Sequence, residues 1–430
     1  MKLQGLKALV VGMEKSGQAS AAFLRAHGSD VTTTDIKPLT LPGFRLQSEE
    51  LFAEAWDLIV LSPGVPADLE PLQKARMRGV NVIGEIELAA PFLRGKTIGI
   101  TGSNGKTTTT SLVGHILRSS GVSAQVGGNI GTPVIAMTEN SRDDQWNVLE
   151  LSSFQLETAH TFRAHIGVCL NVTQNHLDRH RTMENYVAAK GNLFRMQLPG
   201  SYAVLNHGSE ICRSYAELTV AEKIWFSRED IRKDHVWLDD ETPLMPLSAI
   251  PIPGSHNAEN VLAAAHIARL AGVSVPAIAA AVSSFHAVEH RLEFTAEIHG
   301  VRYYNDSKAT SVDAAMKAID SFPGGLWVIL GGTDKGSDYR LMREKLRQKA
   351  RAVLLIGTAA EKIKSHLDGA VKLIPCDTLA RAVAEAGAAA HPGDTVLLAP
   401  ACSSFDQFRN YEERGRTFKQ LVKDLKNAAA

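Results

Sequence analysis

Short apolar runs recur along the chain, each closed by a polar turn and followed by residues whose apolar positions return at helical spacing. Such a run, rich in β-branched residues, reads as a strand covered on both faces, as in a parallel sheet. Residues 7–11 (KALVV) open the pattern, followed by an alanine-rich helix over 18–27 and a second strand over 30–34 that ends at Asp35. Strands are also expected at 57–61 and 80–83, the first stopped by Ser62-Pro63-Gly64-Val65-Pro66. From residue 96 the alternation resumes, with strands at 97–100, 124–126, 146–151, 166–172 and 202–205. Helical spacing covers 112–117, 183–195, 260–270 and 275–284, whereas 220–247 reads as β-rich surface structure. The last region places strands at 301–304, 326–330, 352–356 and 395–399 between helices at 312–319, 339–349, 379–390 and 414–426. This order predicts an α/β chain of three consecutive domains with largely parallel sheets, divided as 1–93, 94–299 and 300–430.

Composition narrows the class. Across 430 residues, 46 Lys plus Arg balance 46 Asp plus Glu, so no overall field draws the chain to nucleic acid or to an acidic membrane. The four cysteines are far apart with no CxxC, which fits reduced thiols and not a disulfide or zinc framework. The N-terminal apolar run is too short for a signal peptide, and no run approaches the ~20 residues of a membrane span. A soluble, cytoplasmic protein is expected, with small-molecule substrates, no membrane insertion and no obligate protein partner.

Candidate chemistry starts at 96–112, KTIGITGSNGKTTTTSL. A strand runs into Gly102-Ser103-Asn104-Gly105, and Lys106, Thr107 and Thr108 open a helix. Exposed N–H groups and the positive helix end suit phosphate, Lys106 adds a full charge, and Thr107 can hold Mg²⁺. The strict GxxxxGK[ST] spacing is not met, since Ile100 stands five residues before Gly105. In α/β sheets ligands gather at the carboxyl ends of strands. Glu150 interrupts an apolar strand there and is either a paired buried acid or a metal ligand. His176 follows another strand; alone such a residue is more often a structural histidine, and Lys190 alone is by default a solvated helix lysine. With the phosphate loop, Glu150 and His176 form a plausible Mg²⁺ set, because hard cations at phosphates use few protein ligands. Further on, NDSKAT (305–310), GGTDKG (331–336) and PACSSFD (400–406) each follow a strand and together read as a second substrate pocket. Taken singly, Ser307 and Thr310 fit a helix N-cap as well.

TGSNGKTTT, ELSSFQLE, NVTQNHLDRH, GSHNAEN, HRLEF, NDSKAT, GGTDKG and APACSSFDQF occur in this order. The chain resembles the Mur ligases of peptidoglycan synthesis along nearly its whole length, and TGxxGKT is that family's own phosphate-loop form. The central motifs are also similar to those of folylpolyglutamate synthetases, whereas NDSKAT and SSFDQF point to the branch that adds D-glutamate. The resemblance implies a Rossmann-like N-terminal domain for the UDP-muramoyl substrate, a P-loop-type central ATPase domain and a Rossmann-like C-terminal domain for the amino acid. It implies that Gly102, Ser103, Asn104, Gly105, Lys106, Thr107 and Thr108 hold the ATP phosphates, with Asn257, Arg291 and Asp306 on the nucleotide. Thr107 and Glu150 would bind one Mg²⁺, His176 and a carbamylated Lys190 a second. Lys308, Thr310, Lys335 and Ser404 would hold D-glutamate; Ser16, Asp35, Gly64 and Asn129 would hold the UDP substrate. Asn175 stands where many relatives carry an acid just before the histidine. The implied reaction phosphorylates the alanine carboxylate of the UDP substrate with ATP, and the D-glutamate amine then displaces phosphate.

Overall fold

A computed structural model describes residues 2–429 except Pro253, Ala287, Val288 and Lys335. Strands β1 (Lys7–Val11), β2 (Asp30–Asp35), β3 (Phe44–Leu46), β4 (Leu58–Leu61) and β5 (Asn81–Gly84) form a parallel sheet in the order β3-β2-β1-β4-β5. The order reverses between β1 and β4, which opens the crevice where such sheets take ligands. Two glycines shape it. Gly12 leaves β1 at φ +86°, and a Cβ on Gly17, in the helix Lys15–Ala26, would lie 1.8 Å from the Gly12 carbonyl oxygen. Asp35, at the end of β2, accepts a hydrogen bond from the Met13 N–H at 2.7 Å.

The second sheet contains β6 (Lys96–Thr101), β7 (Ala124–Gly128), β8 (Trp146–Glu150), β9 (Ile166–Cys169), β10 (Tyr202–Asn206) and β11 (Glu222–Phe226). All run parallel in the order β11-β10-β9-β6-β8-β7. β6 is therefore central, and the loop that follows it emerges beside the ends of β8 and β9. A short antiparallel sheet, β12 (Ile231–Arg232), β13 (His235–Trp237) and β14 (Pro243–Pro246), together with β11 makes up the β-rich stretch at 220–247.

Packing groups the chain into two compact units, Met1–Leu247 with Glu259–Val282, and Ser248–Ala258 with Ser283–Ala430. In the first unit, one apolar core joins the first two sheets: Ala8 and Val10 belong to the same buried cluster as Leu149 and Leu151. The helix Glu85–Ala89 is the seam. Its Ile86 and Leu88 pack into this cluster, which also holds Val134 and Ile135, and its two carboxylates satisfy backbone N–H groups. Glu85 accepts from Ile135 at 2.7 Å; Glu87 accepts from His160 at 2.9 Å and from Thr161 at 2.8 Å.

The second unit carries β15 (Glu293–Ile298), β16 (Val301–Asn305), β17 (Leu326–Gly331), β18 (Ala350–Ile356), β19 (Leu373–Asp377) and β20 (Thr395–Leu398). Their order is β15-β16-β20-β17-β18-β19, parallel except for the antiparallel β15, with a buried cluster on each face. The three polar clusters singled out in this region leave the ends of the adjacent strands β16, β20 and β17. Strands β3, β15 and β19 carry no expected apolar run: β3 is three residues long, β15 alternates polar with apolar positions, and β19 contains Pro375. All three are sheet edges, where half-exposed or proline-bearing strands are tolerated. Among the described residues no helix is long and apolar enough to cross a membrane.

Candidate active site

Thr101 ends β6, and the chain then makes a tight loop: Gly102 has φ +150° and Gly105, φ +84°, stands at the N-cap of the helix Lys106–Ser119. Only glycine enters such backbone without strain. A Cβ on Gly105 would also lie 2.3 Å from Asn260 Oδ1. The segment after β9 pins the turn: Asn104 N–H donates to Asn171 Oδ1 at 2.9 Å, and Thr173 N–H to Ser103 Oγ at 2.9 Å. The helix N-terminus thereby presents N–H groups to an anion.

Two lysine side chains meet inside the loop. Lys106 Nζ donates to the carbonyls of Gly102 at 2.8 Å and Ser103 at 3.0 Å. Lys190, from the helix Met183–Arg195, reaches the same Gly102 carbonyl at 3.1 Å and Thr101 Oγ1 at 3.3 Å, with its Nζ 4.7 Å from the Tyr186 ring centre. Its side chain is fully buried. Burial, and then the Lys106 charge, bring Lys190 down to about 7. At neutral pH a large fraction is therefore uncharged amine.

Glu150 ends β8 directly beside β6, paired in register with Ile100. It is buried; Oε1 accepts from Asn129 Nδ2 at 2.8 Å, while Oε2 has no hydrogen-bond partner among the described residues. A buried acid with one oxygen left over fits a cation. His176 lies at φ +55°, with its ring edge-on to Phe154 at 5.0 Å and 6.3 Å from Tyr186. Among the described residues no three His, Cys, Asp or Glu side chains form a ready-made metal site. Of the residues expected at the UDP substrate, Asp35 and Ser16 flank the first-sheet crevice, Gly64 lies in the turn after β4, and Asn129 is held against Glu150.

In the second unit, Asp306 follows β16 and is buried; its Oδ1 accepts from Leu292 N–H at 3.2 Å. Burial raises it to about 6, against the charge of nearby Arg291. Lys308 Nζ sits 5.8 Å from the Tyr411 ring centre, Ser404 is buried in the loop after β20, and Asn257 lies near the start of the helix Ser255–Leu270. Thr310 lies between Lys308 and the helix Val312–Asp320, whose N-cap is Ser311 and not Ser307 or Thr310. Lys335 lies outside the described residues.

Comparison with known proteins decides the family. The chain is 63% identical to the UDP-N-acetylmuramoylalanine–D-glutamate ligase of Solibacter usitatus, over 99% of both chains. It is 53% identical to that of Acidobacterium capsulatum, over 100% of this chain and 99% of the relative. The chain belongs to the UDP-N-acetylmuramoylalanine–D-glutamate ligase family.

The Mur ligase middle domain matches residues 100–268 of this ligase, and the Mur ligase glutamate ligase domain matches 290–402. The fold is also that of solved Mur ligases. UDP-N-acetylmuramate–alanine ligase of Thermotoga maritima matches with TM-score 0.62 at 18% identity, covering 97% of this chain and 99% of its own. The MurF ligase of Thermotoga maritima in complex with ADP matches at 0.60 and 16%, covering 98% and 96%. Two side chains, one beside the candidate loop of each unit, escaped the sequence reading. Tyr186 bonds Ser103 Oγ through its hydroxyl at 3.0 Å, yet in sequence it is one more apolar helix position. Arg414 lies in a charged run (EERGR) that suggests a solvated helix end, but it is buried. It donates to Ser307 O at 2.9 Å, Ser307 Oγ at 3.0 Å and Cys402 O at 3.2 Å, joining the loops after β16 and β20. It has no ion-pair partner among the described residues, and burial lowers it to about 10.

Proposed function

We propose that this Mur ligase joins D-glutamate to UDP-N-acetylmuramoyl-L-alanine with ATP, and that the Lys106–Lys190–Glu150 centre carries the phosphoryl-transfer step. The reading is supported by the convergence of two lysine side chains on the Gly102 carbonyl beside a buried carboxylate with one oxygen that has no hydrogen-bond partner among the described residues. Gly102 to Thr108 cradle the phosphates, and Lys106 turns from the loop carbonyls to the γ-phosphate. A carboxylate oxygen of the alanine residue attacks the γ-phosphorus, ADP leaves, and an acyl phosphate remains. The D-glutamate amine attacks its carbonyl carbon, loses a proton, and phosphate departs. Electrostatic stabilisation by a preorganised loop is the main service such a site gives phosphoryl transfer.

Thr107 and Glu150 suit one Mg²⁺, and His176 with a carbamylated Lys190 a second; when bound, these ions neutralise charge on the phosphates. The lowered, buried Lys190 amine is suited to carbamylation, in which it adds to carbon dioxide and releases a proton. Residues 1–93 with Ser16, Asp35, Gly64 and Asn129 take the UDP substrate. Residues 94–299 take ATP, and Asn257, Arg291 and Asp306 contact it. Residues 300–430 take D-glutamate through Lys308, Thr310, Lys335 and Ser404. Use of ATP and of a nucleotide-linked substrate supports a cytoplasmic reaction. Phosphate release with UDP-N-acetylmuramoyl-L-alanine is the test, comparing D-glutamate, L-glutamate, L-lysine, meso-diaminopimelate and no amino acid. Stimulation by D-glutamate alone is expected; equal release in all five would identify a hydrolase instead.

A further inference from the structure

We propose that Arg179 is a positioning residue that ties the turn after β4 to the His176 side of the active centre. Its side chain is only 12% exposed. The guanidinium donates to the carbonyls of Gly64 at 3.1 Å and Val65 at 2.8 Å, and it ion-pairs with Glu157. Its Cζ lies 5.0 Å from the centre of the Phe154 ring. That ring in turn packs on His176 at 5.0 Å and on His180 at 5.4 Å. His180 completes the cluster: one ring nitrogen meets Ser153 Oγ at 2.9 Å, and the other lies 3.8 Å from the second oxygen of Glu157.

A planar fork of five N–H groups can hold two carbonyls and a carboxylate at once, whereas an ammonium on a flexible stem cannot reproduce the arrangement. Arg179 is therefore suited to fix the turn that carries Gly64 relative to Phe154, and through Phe154 the His176 ring. A second tie between the same segments, Arg181 to Asp68, is solvent-exposed on both sides, where such pairs contribute little. The proposal rests on the assignment of Gly64 to the UDP-substrate site and of His176 to the metal site. It adds a residue that would set the geometry of both sites through Gly64 and Phe154.

The experiment measures calorimetric affinity for UDP-N-acetylmuramoyl-L-alanine, then KM values and Mg²⁺ half-saturation, in wild type, Arg179→Ala, Arg179→Lys, Glu157→Gln and Arg181→Ala. Both Arg179 variants are expected to weaken nucleotide-substrate binding about tenfold, roughly 1.4 kcal/mol, and to raise the Mg²⁺ requirement. KM for D-glutamate should not move. Glu157→Gln should shift the same two readouts by less, and Arg181→Ala should match wild type. Arg179→Lys keeps the charge beside Glu157, so it carries the test if Arg179→Ala does not fold. Wild-type affinity and Mg²⁺ dependence in the Arg179 variants, even with a lowered unfolding temperature, would overturn the proposal by reducing the residue to a packing role. Wild-type enzyme that binds the UDP substrate but shows no D-glutamate-dependent turnover would count against the functional reading instead, leaving the affinity comparison to judge Arg179.

Discussion

Replacing Glu85 by Gln should change how stability depends on pH, by an amount the structure allows to be worked out. The Glu85 side chain is buried at the seam between the first two sheets; Oε1 holds the Ile135 N–H, and Oε2 has no hydrogen-bond partner among the described residues. Burial raises it from 4.5 to about 7, with the N–H groups of Ile135 and Val134 opposing. Below pH 4.5 the carboxyl is protonated both folded and unfolded, and its ionisation costs nothing. From there to about 7 the unfolded chain releases a proton that the folded chain keeps, so stability falls as pH rises. Above about 7 the whole penalty is present, about 3 kcal/mol at roughly 1.4 kcal/mol per pH unit. Gln has no such titration. The difference in unfolding temperature, Glu85→Gln minus wild type, should therefore grow between pH 5 and pH 8, where about 2.5 kcal/mol of the penalty develops, by about 5 °C at roughly 2 °C per kcal/mol for a unit of this size. Thermal melts in matched buffers across that range read it directly. A difference that stays flat, or shrinks as pH rises, would refute the burial argument.

Three further outcomes follow from the site. Lys106→Ala should reduce turnover by at least about a thousandfold, the scale of removing a preorganised charge-stabilising donor; activity within tenfold of wild type would remove the loop from the mechanism. Gly105→Ala forces a Cβ into left-handed backbone and against Asn260, so KM for ATP should rise about tenfold or more at a backbone cost of about 1–2 kcal/mol; an unchanged KM in steady-state assays would contradict the loop geometry. Arg414→Ala strands the carbonyls of Ser307 and Cys402, and should cost about 3 kcal/mol of stability and raise KM for D-glutamate more than KM for ATP. Equal rises in both constants would show a general loss of structure.

What could be read in the sequence and what could not divide along physical lines. Leu58–Leu61 and Leu326–Gly331 are uninterrupted apolar runs because both of their faces are covered, and periodicity finds such strands. The phosphate loop was legible because its glycines answer a backbone requirement that no other residue meets. Glu150 was legible as an acid misplaced in an apolar strand, although the spare oxygen that suits it to a cation depends on Asn129, a neighbour distant in sequence. Edge strands such as Glu293–Ile298 were not legible, since half their positions face solvent and their order comes from pairing with β16. Lys190 illustrates the limit best. Its place in a helix with mixed spacing suggests a solvated lysine, and only the approach of β6 buries it against Gly102 and lowers its proton affinity. Arg414 and Arg179 are hidden for the same reason: both sit among other charges in sequence, and tertiary packing alone selects which guanidinium goes inside.

The most direct test of acyl-phosphate ligation at this site follows the oxygen atoms. Wild-type enzyme is given ATP, Mg²⁺, D-glutamate and UDP-N-acetylmuramoyl-L-alanine labelled with ¹⁸O in the alanine carboxylate, and the released phosphate is analysed by mass spectrometry. The account predicts one ¹⁸O in each phosphate, formed in step with the amide product and only when D-glutamate is present. Unlabelled phosphate accompanying amide formation would mean that the carboxylate was never phosphorylated, and would contradict the mechanism assigned to Lys106, Glu150 and Lys190.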